Sequence, residues 1–205
     1  MATELSGPHV EQIFDRRKDA TDALAQDAER VGRACYDMAR RFDAGGKLVC
    51  FGNGSAAADA AHIAVEFEHP VIMGKRALPA MSLANDAATL SGIIRRGGFD
   101  DSFAASLRLH AGANDIALGI STDGECRNVA RGLAAARDAG LLTVALVGGD
   151  GGEVGRTPGL DHVLIARSTD PQVAKEVHVT TYHVLWELVH VFFEQPGVLD
   201  PAVVP

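Results

Sequence analysis

The chain has 205 residues, 47% hydrophobic and 22% charged. These proportions exclude a disordered chain, and the length suits one domain that buries a core without disulfides or a structural metal. The formal charge of −8, from 27 acidic and 19 basic residues, argues against nucleic acid as a partner, because sequence-independent binding runs on clustered Lys and Arg. No apolar run reaches the roughly 18 residues of a membrane span. The first ten residues lack the basic and apolar stretches of an export signal. Cys35, Cys50 and Cys126 are odd in number and widely spaced, which reads as reduced thiols in a cytoplasmic protein.

Residues 1–45 read as one long helix with room for a break near its start. Leu24, Ala28, Val31, Cys35, Met38 and Phe42 recur at heptad-like spacing, with charges on the flanks. This stripe suits packing on the chain's own core and also on a partner subunit. Gly45-Gly46 ends it. Short apolar runs then alternate with helical segments. Strands are predicted at 47–51, 77–83, 115–120, 141–147 and 162–166. Helices are predicted at 55–68, 87–94, 101–110, 126–139 and 171–194. In the last helix Val177, Thr181, Val184, Leu188 and Val191 are the expected buried stripe, opposite Glu176, His183 and His190. The strands are continuous apolar runs, as in a sheet covered on both faces. Strand–helix alternation through short links predicts an α/β fold, a doubly wound five-stranded parallel sheet. Such sheets bind ligands at the carboxyl ends of their strands. The polar, glycine-rich segments follow the first, third and fourth strands, so they should share one edge.

Three segments have the composition for chemistry. Gly52-Asn53-Gly54-Ser55 joins a strand to a helix, where a tight turn and free N–H groups suit an anion. Ser121-Thr122-Asp123-Gly124-Glu125-Cys126 offers hydroxyls, but its carboxylates would repel a phosphate. Cys126, near a helix start, is either a small half-buried residue or a reactive thiol. His62 and Glu66, four apart, share a helix face. The final helix adds Lys175, Glu176, His178, His183, Glu187 and His190. Spacing alone leaves metal binding and acid–base work on these helices undecided from ordinary surface histidines.

Taken together, these segments resemble a sugar isomerase (SIS) domain of the phosphoheptose isomerase family. The resemblance rests on Gly45 to Gly54, Asp59 to Phe67, Leu118 to Thr122 with Gly124, Asn128-Val129, Ala134 to Gly140, Asp150 to Gly152, and Lys175 to His178 with His183. It spans roughly residues 20–195. It divides the chain into an N-terminal helical segment (1–45), an SIS domain (46–197) and a tail (198–205). It implies a cytoplasmic homotetramer with active sites between subunits. It also implies interconversion of a seven-carbon ketose phosphate and its aldose phosphate through an enediol. By the same resemblance Glu66 is the base and His183 its acid–base partner. His62, Glu66 and His183 correspond to metal ligands, usually for zinc. Asn53, Gly54, Ser55, Ser121, Thr122, Asp123 and Lys175 line the sugar or sugar-phosphate site.

The chain departs from the family pattern in its loops. Ala56 stands where the first loop usually has a serine, although Ser55 adjoins it. Asp123 and Cys126 replace serines of the second loop. Lys175 replaces a glutamine of the metal site, and a protonated amine has no lone pair for a metal. Arg95-Arg96 fall near a usually acidic substrate contact. Two explanations follow: an isomerase whose anion cradle has been rewritten, with Arg95, Arg96 or Lys175 supplying positive charge, or a non-catalytic sugar-binding or regulatory relative. Retention of His62, Glu66 and His183 favours the enzyme.

Overall fold

The computed structural model describes residues 7–199. Five parallel strands form one sheet: β1 (Leu48–Gly52), β2 (Ala80–Ser82), β3 (Ile116–Ser121), β4 (Leu142–Gly148) and β5 (His162–Ala166), in the order β2-β1-β3-β4-β5. Every residue of β1, β3 and β4 is buried, as continuous apolar runs require.

The helices are α1 (Gly7–Gln26), α2 (Ala28–Asp43), α3 (Ser55–Glu68), α4 (Ala87–Gly97), α5 (Ser102–His110), α6 (Arg127–Asp138), α7 (Gly152–Gly155) and α8 (Pro171–Glu194). One face of the sheet packs on α2, α3 and α8, through residues such as Met38, Phe42, Ile63, Phe67 and Leu185. The opposite face packs on α5 and α6, through Phe103, Leu107, Val129 and Leu133. Only the β1-to-β2 connection runs toward the β2 edge. With right-handed crossovers this places α3 on the face opposite α5 and α6. The chain order reverses between β1 and β3, so the ligand crevice expected of such a sheet opens beyond their carboxyl ends.

The N-terminal segment is two helices rather than one. The break is at Asp27, well inside the segment, where the carboxylate binds the guanidinium of Arg167 beyond β5. This pairing draws the Asp27 carboxyl below its usual range against the opposing effect of burial. Val31, Cys35, Met38 and Phe42 are buried, but inside the chain's own core; Leu24 is half-buried and Ala28 exposed. From Val31 to Phe42 the stripe is therefore occupied by α8 and the sheet of the same chain.

Other boundaries shift. β2 covers only Ala80–Ser82 of the predicted 77–83, beginning just after Pro79, which has no N–H for a ladder. The short α7 and a 3-10 turn at Phe99–Asp101 were not predicted. On α8 the buried stripe runs through Val177, His178, Thr181, Tyr182, Leu185, Trp186 and Val189, whereas Val184, Leu188 and Val191 are half-buried. His190, expected on the polar side, is buried and meets the carbonyls of Trp186 and Arg76 at 2.8 and 3.0 Å. The tail expected after Gly197 lies mostly outside the described residues.

Two glycines bring the loops of the sheet edge together. A side chain at Gly148 would stand 1.9 Å from the Thr122 carbonyl oxygen. Gly124 adopts φ +75°, and a Cβ there would meet the Gly151 carbonyl oxygen at 2.5 Å. The absence of side chains thus lets the loops after β3 and β4 touch, and the Val154 N–H donates to the Gly124 carbonyl at 2.8 Å. No helix among the described residues is long and apolar enough to cross a membrane.

Candidate functional site

The site is built where α3 leaves the crevice and α8 packs beside it. Gly54, at φ +57°, starts α3. The period of that helix then puts His62 and Glu66 on one face. Pro171 at the first turn of α8, with the Asp170 carboxylate accepting from the Gln172 N–H, fixes where α8 begins. His183 lies three turns further along.

His62, Glu66 and His183 each present a ligand atom within 4.8 Å of the others. The His62 Nε2 stands 3.2 Å from Glu66 Oε1. The side chains of His62 and Glu66 are 44% and 14% exposed, so the carboxylate is shielded while the cluster still opens to solvent. His183 is exposed, and its ring meets that of His62 edge to face, with centroids 5.5 Å apart. One carboxylate and two imidazoles form a donor set suited to zinc, and three protein ligands leave a position for substrate. The same groups can move protons.

α8 braces this cluster through residues that spacing alone did not single out. Tyr182 is 2% exposed and its hydroxyl lies 2.8 Å from His62 Nδ1. Burial, with the carboxylates of Asp59 and Glu66 nearby, pushes the phenol up to about 12, so it keeps its proton. Trp186 Nε1–H donates to the Glu66 backbone carbonyl at 2.8 Å. An aromatic residue beside His183 reads as core from sequence, and core packing is indeed part of its role.

Lys175 does not join the cluster as a free cation. Its ammonium pairs with Asp59 at 2.5 Å and also donates to the Ser55 carbonyl at 3.3 Å. The Asp59 side chain is 8% exposed and that of Lys175 is 36% exposed. Thus the lysine neutralises a buried carboxylate at the start of α3. Behind it, His178 is 1% exposed, with the Val147 backbone as its one, weak polar contact. Burial holds its pKa below the usual value, so it is neutral.

The loops carry the remaining predicted residues. The carboxamides of Asn53 and Asn128 exchange two hydrogen bonds, 2.8 and 3.0 Å, and Asn128 also donates to Ser102 Oγ at 3.2 Å. Asn53 therefore ties the β1 loop to α6. Ser55 is exposed in the first turn of α3. Ser121 is buried, and its hydroxyl donates to Asp123 Oδ1 at 2.9 Å. The Glu125 N–H donates to the same oxygen, also at 2.9 Å. That N–H first, with the Ser121 hydroxyl, outweighs burial and holds the Asp123 carboxyl below its usual range. The second loop is thus satisfied by a carboxylate of its own. Thr122 is half-buried, with its carbonyl against Gly148.

Cys126 is half-buried, its sulfur 3.9 Å from Asp123 Oδ1. Cys35 and Cys50 are buried; burial pushes Cys35 up to about 12 and raises Cys50 as well, which makes both unreactive. Arg95 and Arg96 are exposed in the last turn of α4.

Comparison with known proteins agrees with this architecture. The model of the SIS domain matches residues 13–148. A phosphoheptose isomerase of Solidesulfovibrio magneticus is 41% identical over 175 residues, covering 85% of this chain and 84% of the relative. The solved phosphoheptose isomerase of Neisseria gonorrhoeae matches with a TM-score of 0.81 at 28% identity, covering 89% of this chain and 97% of that one. That of Francisella tularensis matches at 0.83 and 26%, covering 89% and 96%. Identity at this level, sustained across nearly the whole of both partners and joined to the same fold, makes the chain a member of the SIS-domain phosphoheptose isomerase family.

Proposed function

We propose that the protein is an aldose–ketose isomerase that interconverts sedoheptulose 7-phosphate and a heptose 7-phosphate through an enediol. The observation that carries this reading is the meeting of Glu66, His62 and His183, from two helices far apart in sequence, in a phosphoheptose isomerase fold. Glu66 takes the proton from the carbon next to the ketose carbonyl. The electron pair left behind forms the enediol double bond, and the carbonyl oxygen gains a proton from His183. Return of a proton to the former carbonyl carbon, with loss of one from the neighbouring hydroxyl, completes the aldose. Positioned groups of this kind contribute about a hundred- to ten-thousandfold each.

Zinc fits the donor set, with His62, Glu66 and His183 as the residues that would hold it. When bound, it polarises the substrate carbonyl as a Lewis acid. Lys175 is not a ligand, because its ammonium is paired with Asp59. The phosphate is received by Ser55 at the start of α3, where Lys175 keeps a partly exposed ammonium while it remains paired with Asp59. For the Ser121 hydroxyl to take part, it must exchange Asp123 for the substrate.

The reading includes a cytoplasmic homotetramer with sites between subunits. Its support is an exposed apolar face on α1, where Val10, Ile13 and Phe14 are 40%, 42% and 67% exposed at helical spacing. The test is incubation of the pure protein, with and without zinc, with sedoheptulose 7-phosphate and with unphosphorylated sedoheptulose. Turnover of the phosphorylated sugar is expected. Absence of turnover of either sugar, metal supplied, overturns the proposal.

A further inference from the structure

The geometry points to Tyr182 as a positioning residue that holds the His62 ring in register with Glu66 and keeps it hydrogen-bonded in either tautomer. This rests on the isomerase reading of the site only for its effect on turnover. The contacts stand on their own. The Tyr182 oxygen is 2.8 Å from Nδ1, and Glu66 Oε1 is 3.2 Å from Nε2 on the opposite side of the same ring. The three rings of His62, Tyr182 and His183 also meet edge to face, with centroids 5.4 Å apart for His62–Tyr182 and 4.8 Å for Tyr182–His183. Tyr182 thus touches both imidazoles of the cluster from beneath.

The protons follow from the partners. An ionised carboxylate only accepts, so Nε2 carries the proton facing Glu66, and Nδ1 accepts from the tyrosine O–H. A metal ligand needs the Nε2 lone pair. The ring remains neutral if the proton lost from Nε2 is regained at Nδ1, and Nδ1–H then donates a hydrogen bond to the phenol oxygen. A hydroxyl both donates and accepts, so one residue serves both arrangements. Phenylalanine keeps the ring packing and removes the partner of Nδ1 at a part-buried position. Hydrogen bonds to the second nitrogen of a metal-binding histidine fix its tautomer and orientation, and their loss costs about ten- to a hundredfold in metal affinity.

The experiment compares the wild type, Tyr182→Phe and Trp186→Phe. The tryptophan variant loosens the same helix pair without touching His62. Nitrogen-15 spectra of the metal-free proteins, with His62 assigned by its own replacement, should show the Nε2–H tautomer in all three, because Glu66 still accepts from it, with the Nδ1 shift moved to that of a nitrogen without a donor in Tyr182→Phe alone. Titration with zinc against a competing chelator should show Tyr182→Phe weaker by about ten- to a hundredfold. Turnover should fall in kcat, with KM within about threefold. Unchanged His62 nitrogen shifts in Tyr182→Phe overturn the inference, as does a zinc affinity within twofold of the wild type. The spectra need neither substrate nor metal. A changed Nδ1 shift in a protein without turnover therefore rejects the isomerase reading and retains the positioning role, and the reverse pattern rejects only Tyr182.

Discussion

Replacing Glu66 by Gln isolates the charge of one side chain. The carboxamide has nearly the same shape. The Trp186 bond goes to the Glu66 main chain and is untouched, and the amide oxygen can still accept from His62 Nε2–H. Glu66 lies on α3, whose packing against the core is made by Ile63, Ala64 and Phe67. Stability should therefore stay within about 0.5 kcal/mol, a shift of about 2 °C or less in Tm for a domain of this size. What is lost is the group that accepts a carbon-bound proton and the one anionic donor of the zinc site, so zinc affinity is measured beside turnover and exchange is compared at saturating zinc. A positioned base contributes about a hundred- to ten-thousandfold, or about 3 to 5 kcal/mol of barrier. The expected outcome is a fall of that size in kcat with KM nearly unchanged. Exchange of the ketose C1 hydrogen in heavy water, followed by proton NMR, reads the first step without the second and should fall in parallel. If Glu66→Gln keeps more than a tenth of the exchange rate, another group removes the proton and the assignment is wrong. If activity falls only together with several degrees of Tm, the residue is structural.

Lys175→Met should destabilise more than Asp59→Asn, by about 3 against about 1 kcal/mol in urea unfolding, because the first strands a carboxylate that is 8% exposed while the second frees an ammonium that is 36% exposed and can reach water. Equal costs would refute that asymmetry. For Asp115, burial pushes the carboxyl up, but the Lys47 ammonium and the N–H groups of Gly112 and Lys47 outweigh it and hold it below the usual value. A lowered folded-state pKa contributes stability above the unfolded value of about 3.9 that is lost as pH falls through the folded one. Asp115→Asn should thus cost about 2 kcal/mol at pH 7, a gap that narrows in denaturant melts as pH falls below the unfolded value. Met38→Ala should cost about 2 to 4 kcal/mol of subunit stability. Sedimentation should show its assembly state unchanged below the unfolding transition; dissociation of folded subunits would return α2 to an interface.

Much of the architecture was readable because local and global signals agree. α3 and α8 begin and end where predicted: a glycine turn precedes one, and Asp170-Pro171 with Pro196-Gly197 bracket the other. Apolar runs at β1, β3 and β4 fall within a residue of their observed ends. The failures have tertiary causes. Heptad spacing over residues 24–42 gives an apolar face but not its partner, and α8 of the same chain takes most of it. The helix breaks at Asp27, whose carboxylate is held by Arg167, 140 residues away. His190 is buried because the segment at Arg76 covers it.

The candidate site shows the same division at finer scale. The His62–Glu66 pair is visible as an i, i+4 spacing, and the Ser121–Asp123 contact is local enough to suspect from a hydroxyl two residues before a carboxylate. Whether His183 faces them depends on how α8 crosses α3, and spacing within either helix says nothing about that. The crossing is set by contacts such as Trp186 to Glu66 and Tyr182 to His62, each spanning 120 residues. Lys175 to Asp59 ties the same two helices nearer their starts, seven residues before Tyr182 on α8 and three before His62 on α3. Three polar contacts between largely apolar helix faces thus fix their relative rotation. A turn of either helix by one residue, about 100°, would carry His183 away from Glu66 and leave Asp59 buried without its cation. Residues that hold the register and residues that do the chemistry are neighbours on α8, so a substitution at either kind of position must be read for both effects.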